Sequence, residues 1–416
     1  MLTINLIVIF AIAIAFYSAV NIGGNDVANA MGTPVASKAI TYRQAVLIAA
    51  IFEFAGAFFV GSHVTDTVRK GMLDMSAFKN DPEIIIYGMT AALVATTVWL
   101  RIATQFGWPV STTHSIVGAV VGFGVVAKGA AVVNWSKIGS IALSWIISPL
   151  AGGIIAFLIF TFIRTMILEA KDPVGRTKRI APFLIFSVFF IIVLALIYKG
   201  LKNLNLNLDF KAAAIIAVSV GAASAIAGKF WIDNHFANVA RKNGEINYTH
   251  VEDIFKFLEI LTACYVAFAH GANDVANAVG PLAAIIAVSN SQEVMMKVPV
   301  PMWILAMGGV GIVVGLIILG SRVMETIGKK ITTIVPSRSF SAVFSAATTV
   351  LVCSKMGMPI STTHTIVGAV IGVGFARGIG ALDLKVIRDI VSSWFITLPA
   401  TIVFSIICYK LLLFLK

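Results

Sequence analysis

Two short runs of polar residues stand inside the apolar sequence, and each occurs twice. Gly23 to Gly32 reads GGNDVANAMG, and Gly271 to Gly280 reads GANDVANAVG. On a helix Asn25, Asp26 and Asn29 share a face, as do Asn273, Asp274 and Asn277, because positions three and four apart are neighbours. An ionised aspartate at mid-membrane costs roughly 2.5–3.5 kcal/mol or more, so it faces a cavity and a partner. Carboxylate and amide oxygens together are ligands for a hard cation such as Na⁺. The flanking glycines and Pro281 suggest a broken helix lining a site. Small residues with asparagine as interhelical glue would explain one such run. They explain poorly two matched runs that each keep the aspartate.

The second pair is PVSTTH, Pro109 to His114, and PISTTH, Pro359 to His364. Proline followed by Ser or Thr reads as a helix start. Ser111, Thr112 and Thr113, like Ser361, Thr362 and Thr363, set hydroxyls beside free N–H groups at the positive end of a helix, which is a cradle for an anion. Back-bonding of hydroxyls to their own helix is the plainer reading, but it does not explain a proline-led triplet in both halves. His114 and His364 invite comparison with a Ser/His hydrolase that uses Asp26. No G-x-S-x-G elbow surrounds either serine, and a triad needs one copy. The enzyme is therefore the remote alternative, and the histidines are expected to fix the hairpins by hydrogen bonds. Metal ligation is a minor option, since no Cys/His/Asp cluster along the chain has the spacing for it. Glu53, in IAAIFEFAGAFF, has no acidic counterpart in the second half. It reads equally as a site or gate carboxylate and as a buried partner for a basic residue.

What must position these residues is a membrane scaffold. The 416 residues are 59% hydrophobic and 12% charged, with mean hydropathy +0.96, whereas soluble domains carry about 25% charge. Apolar windows near the length that spans a bilayer include 2–19, 84–100, 138–162, 182–198, 212–231, 302–319 and 387–415. The net charge of +12 gathers in loops such as 164–179 without interleaved aromatics. That points to the positive-inside bias and anionic lipid, not to nucleic acid. Cys264, Cys353 and Cys408 lie far apart in apolar stretches and form neither a disulfide framework nor a metal pair. Ala28-Asn29-Ala30 resembles a signal-peptide cleavage site, but no basic segment precedes it and Ala276–Ala278 repeats it.

Two weaker matches complete the repeat. Gly61-Ser62-x-Val64-x-Asp66-Thr67 parallels Gly320-Ser321-x-Val323-x-Glu325-Thr326, and Ser144-Trp145 parallels Ser393-Trp394. Asp66 and Glu325, beside Arg69 and Lys329, read as anchors at helix ends. All four motifs keep one order, which indicates a duplicated unit. The first repeat is 1–163 and the second 254–416. Residues 164–253 hold two linking transmembrane helices with cytoplasmic basic links at 164–180 and 233–253. The expected fold is an all-α integral membrane protein of about 12 transmembrane helices with re-entrant or broken hairpins, in two inverted-topology repeats with both termini extracytoplasmic.

None of the four site motifs contains Lys or Arg. An anion held beside two aspartates would be repelled unless a cation or proton intervenes. The residues thus suggest cation-coupled uptake of a small oxyanion, with a passive anion channel as the competing reading. A proton route would use a chain of titratable groups, and few are evident, which favours Na⁺. No cofactor is expected.

GGNDVANAMG with GANDVANAVG, and PVSTTH with PISTTH, resemble the duplicated signatures of the inorganic phosphate transporter (PiT) family over nearly the whole chain. The resemblance implies inorganic phosphate as substrate, cotransport with Na⁺ or H⁺, an inverted repeat in the inner membrane and a homodimer. Some bacterial relatives carry metal–phosphate complexes or sulfate. Carried over, Asp26 and Asp274 would coordinate the coupling ion with Asn25, Asn29, Asn273 and Asn277. Ser111, Thr112, Thr113, Ser361, Thr362 and Thr363 would hold phosphate. Some relatives also carry an acidic residue in the helix before each STTH hairpin. Residues 84–105 and 340–356 contain none, which leaves Glu53 as the lone extra carboxylate. The short 233–253 link stands where animal members have a central cytoplasmic domain, the form of a minimal prokaryotic transporter.

Overall fold

The computed structural model describes residues 2–61, 71–197, 208–243, 248–291, 293–294, 300–355 and 360–414. Asp66, Arg69 and Pro359, named above, lie outside the described residues. Within them the chain is helical and forms no strand. The first half holds α1 (Leu2–Ala36), α2 (Tyr42–Val60), α3 (Glu83–Phe106), the short α4 (Thr112–Lys128) and α5 (Trp135–Ile163). Then come α6 (Pro173–Ala195) and α7 (Phe210–Asn243). The second half holds α8 (Tyr248–Ser291), α9 (Met302–Leu319), the single turn α10 (Ser321–Glu325), α11 (Pro336–Lys355), the short α12 (Thr362–Ala376) and α13 (Leu384–Phe414).

Among the described residues nine helices are long and apolar enough to cross a membrane: α1, α2, α3, α5 to α9 and α13. Helices α4 and α12 are shorter, about 26 and 23 Å at 1.5 Å per residue, less than the roughly 30 Å of hydrocarbon. Both begin at buried serines, Ser111 and Ser361, inside the protein. Capping sets several of these starts. Thr41 and Gln44 close a capping box on α2. Asp172 caps α6, whose first residue is Pro173.

Helices α1 and α8 are not broken at the Asn-Asp motifs, contrary to the expectation from their glycines. Both run unbroken through them. The glycines are used for close approach instead. A Cβ on Gly23 would stand 2.0 Å from the Ile312 carbonyl oxygen, and one on Gly271 would stand 2.0 Å from that of Glu53. Helix α1 therefore crosses α9 as α8 crosses α2. The short helices obey the same exchange, with α4 packed on α13 and α12 on α5. Gly122 meets the backbone of Ile402, and Gly372 meets that of Gly153, a close packing of the small-residue kind.

Two lobes of the apolar core flank the matched motifs, and smaller clusters lie beside them on α5 to α8 and α11. One takes α1 up to Ile22, α3, α4 and α8 from Val275 onward. The other takes α1 from Val27, α8 up to Ala267, parts of α11 and α12. Asp26, His270 and Asp274 lie where the lobes meet.

Candidate functional site

Each Asn-Asp motif reaches the STTH helix of the other half. Asn29 Nδ2 donates to Thr363 Oγ1 at 2.9 Å, and Thr363 Oγ1 donates to Asp26 Oδ1 at 3.4 Å. Asn277 Nδ2 donates to Thr112 Oγ1 at 3.1 Å and Thr113 Oγ1 at 3.4 Å. It also reaches its own Asp274 Oδ1 at 3.2 Å. Thr362 Oγ1 lies 3.4 Å from Asp274 Oδ2 and donates to it. Asp26 is fully buried and Asp274 nearly so, at 4% exposure.

The hairpin starts are held by their own caps. Ser111 Oγ accepts from the His114 amide at 3.2 Å, and Ser361 Oγ accepts from the His364 amide at 3.1 Å. Each serine hydroxyl keeps its own proton to donate. The first N–H groups of a helix have no intrahelical partner, so α4 and α12 present donors toward the aspartates. Gly107, at φ 68°, ends α3 and turns the chain into the first hairpin.

Asn25 serves differently from the other predicted ligands. Its amide donates to Thr104 Oγ1 at 3.1 Å and to the Trp108 carbonyl at 3.0 Å, and its oxygen accepts from the Val110 amide at 3.2 Å. It fastens the loop before α4 to α1. Asn273 is half-buried.

The histidines of the STTH motifs are held by stacking where hydrogen bonds were expected. Their rings meet edge-on with centroids 4.5 Å apart. His114 packs on Trp145 at 3.9 Å and His364 on Trp394 at 3.7 Å. His114 Nε2 and both ring nitrogens of His364 have no hydrogen-bond partner among the described residues. Trp394 in turn donates to the Pro109 carbonyl at 2.9 Å, which ties α13 to the first hairpin.

The residue that sequence reasoning passed over is His270. Its Nε2 lies 3.0 Å from Asp274 Oδ2 and 3.4 Å from Asp26 Oδ2, and its Nδ1 lies 3.3 Å from Glu53 Oε1. These are charge contacts rather than aligned hydrogen bonds, because neither ring nitrogen satisfies hydrogen-bond geometry. Of the two readings of Glu53, the structure favours a buried partner of a basic residue. Asp26, His270 and Asp274 bring ligand atoms within 4.8 Å of one another. A His/Asp cluster therefore does exist, assembled from two helices and so invisible as spacing along the chain. The signal was an asymmetry. Counted from the matched aspartates, Ile22 stands where His270 stands. Counted from Gly61 and Gly320, Ile312 stands where Glu53 stands.

Beside His270 is a cavity of about 20 Å³, lined by Asn29, Tyr265, Ala269, Ala347 and Thr362 among others. That is room for about one water.

Residues 22–405 match the model of a phosphate transporter family. A provisionally named phosphate permease of Pyrococcus abyssi is 48% identical over 391 residues, 94% of each chain. One of Haemophilus influenzae is 44% identical, covering 95% of this chain and 94% of its own. Among solved structures, one described as the sodium-dependent phosphate transporter superposes with a TM-score of 0.89 at 42% identity, covering 99% of this chain and all of that one. These relatives are named as transporters and permeases, which points away from the hydrolase reading.

Proposed function

The chain belongs to the phosphate transporter family, and we propose that it imports inorganic phosphate across the cytoplasmic membrane together with Na⁺. The observation that carries this reading is the exchange between halves. Asp26 accepts from Thr363 of the second half and Asn277 donates to Thr112 and Thr113 of the first, while no Lys or Arg pairs with either buried aspartate among the described residues.

In this reading phosphate rests on the N-termini of α4 and α12, held by Ser111, Thr112, Thr113, Ser361, Thr362 and Thr363. Na⁺ enters with it as substrate, bound by Asp26 and Asn29 on one side and by Asp274 and Asn277 on the other. Cation and anion then neutralise one another between the carboxylates. Asn25 braces the site, with Asn273 assigned the matching place in the second half. The edge-on pair of His114 and His364 closes it. His270 holds the two aspartates together from behind and is itself fixed by Glu53. The pairing of helices between halves agrees with two inverted repeats that rock about a shared site. The basic 164–180 and 233–253 links, placed inside, leave both termini outside. A homodimer is part of the same proposal on family resemblance.

A second reading, coupling to H⁺, is favoured by one observation. Glu53, His270, Asp26 and Asp274 form the continuous run of titratable groups that the sequence did not suggest. Labelled phosphate uptake by purified protein in liposomes separates the two. An inward Na⁺ gradient at symmetrical pH should drive accumulation, with arsenate a stronger competitor than sulfate. Accumulation driven by a pH gradient in Na⁺-free choline buffer would replace Na⁺ with H⁺, and uptake indifferent to both gradients would overturn the symport reading.

A further inference from the structure

A second group of ligand-type side chains lies away from the central site, where the chain passes from α7 to α8. His235 stands near the C-terminal end of α7, and His250 and Asp253 stand in the first two turns of α8. His250 and Asp253 are three apart and so share a face of the helix. One ligand atom from each of the three residues lies within 4.8 Å of the other two.

Apolar packing brings the two helix ends together. Ile232 and Phe236 of α7 are buried in one cluster with Val251, Ile254 and Phe255 of α8. The three polar side chains are the sequence neighbours of these residues and emerge together at the edge of the cluster. Their surroundings orient them. The His235 ring stacks on Trp231 with centroids 5.5 Å and planes 25° apart, and Trp231 packs on Phe257 of α8 at 5.2 Å. Lys256 takes Oδ1 of Asp253 at 2.8 Å, which leaves Oδ2 turned to His250 Nδ1 at 3.8 Å. Such outer contacts are what hold the ligands of a metal in place.

His235 Nε2 is buried and has no hydrogen-bond partner among the described residues. A buried polar atom left unsatisfied is costly, and a bound cation would satisfy it. Two imidazoles and one carboxylate suit Zn²⁺ and its neighbours in the transition series, whereas Na⁺, Mg²⁺ and Ca²⁺ take oxygen ligands. Three protein ligands leave a fourth position for water. Neighbouring ligands of a tetrahedral Zn²⁺ stand about 3.4 Å apart, and His250 and Asp253, with side chains 21% and 32% exposed, have room to rotate to that spacing. The central cluster differs in kind, since there a single histidine faces three carboxylates.

The position of the cluster gives an ion there a mechanical consequence. Beside it, Trp231 and Phe257 line a cavity of about 270 Å³ with Ile185 and Phe189 of α6 and Gly228 of α7. Packing between the linking helices and α8 is therefore incomplete next to the three ligands. We propose that His235, His250 and Asp253 form a divalent transition-metal site, of the Zn²⁺ class, that clips α7 to α8 and so ties the linking helices to the second repeat. This site is independent of the phosphate and Na⁺ reading above.

The test is metal binding by untagged, purified full-length protein in detergent, after treatment with a chelator. Titration with Co²⁺ should give visible absorption bands for one ion per chain, displaced by Zn²⁺, and Zn²⁺ should raise the thermal unfolding midpoint. His235→Ala and His250→Ala should each weaken Co²⁺ binding at least about tenfold, the least that loss of even an outer contact of a metal site costs, and each should remove the Zn²⁺-induced shift. Wild-type protein without bands or shift would overturn the proposal, as would wild-type Co²⁺ affinity in either variant. Bands that survive His235→Ala and vanish in His270→Gln would assign the ion to the central cluster and overturn it too. Should the alanine variants fail to fold, the milder His250→Asn removes the same ligand, and unchanged Co²⁺ affinity in it would count against the site.

Discussion

The crossing of α1 with α9 and the crossing of α8 with α2 are the same joint with different contents. Each turns on glycines from both helices pressed against the facing backbone carbonyls, Gly23 and Gly315 at the first and Gly271 and Gly56 at the second. At the first joint the adjoining positions hold Ile22 and Ile312, both fully buried. At the second they hold His270 and Glu53, 3.3 Å apart and equally buried. The packing that shapes the scaffold is alike at the two joints, while the chemistry within it differs. The apolar joint can only support. The ionic one reaches both aspartates, so the two halves of the site are unequal although the motifs are matched.

The largest effect expected is on the shared carboxylates. Asp26→Asn and Asp274→Asn should each reduce Na⁺-driven phosphate uptake at least about 100-fold, the scale of losing a buried charged partner at 1.4 kcal/mol per tenfold. A single variant with near-normal uptake would make the halves independent and dissolve the comparison. Next come the unequal contents. Glu53→Ile alone leaves His270 Nδ1 without its carboxylate and should destabilise the protein by about 1–3 kcal/mol, whereas Glu53→Ile with His270→Ile copies the apolar joint but also takes the cation from Asp26 and Asp274, and should recover only part of that. Thermal unfolding reads both, and uptake should stay lost in the double variant. A double variant no more stable than the single one would mean that the ionic joint is not a simple replacement of the apolar one.

Smaller effects test the shared packing. Gly23→Ala and Gly271→Ala should each destabilise by about 1–3 kcal/mol through overpacking. Gly139→Ala, where nothing lies within 4 Å, should be neutral or stabilise by up to about 1 kcal/mol. Unequal costs at Gly23 and Gly271 would show that the joints differ in packing as well as in chemistry. Smallest in its effect on transport is Asn25→Ala, expected to lower stability by about 1–3 kcal/mol for a buried bond left unmade while shifting the Na⁺ dependence of uptake less than Asn29→Ala does.

Matched features were legible in the sequence and unmatched ones were not. The proximity of the Asn-Asp and STTH motifs rests on pairs that occur twice, and the all-helical fold on the apolar windows. The window 302–319 coincides with α9 because it is apolar throughout and bounded by Pro301 and Gly320. Window 2–19 stops short of Ala36 because polar residues were read as an interruption. In the fold Asn25 and Asn29 are satisfied by hairpin groups from distant parts of the chain, so the helix continues through them. His270 escaped notice for one reason. Its counterpart Ile22 carries no polar group, and a search for repeats discards what is not repeated.

The central claim is that two buried aspartates make phosphate binding depend on a cation. Equilibrium binding of labelled phosphate to the purified protein at fixed pH, in Na⁺ or in choline, tests it directly. Wild-type affinity should fall steeply without Na⁺. The Asp26→Asn/Asp274→Asn variant, relieved of the repulsion, should bind phosphate equally well in both media. Wild-type protein whose phosphate affinity is the same in Na⁺ and in choline would contradict the account.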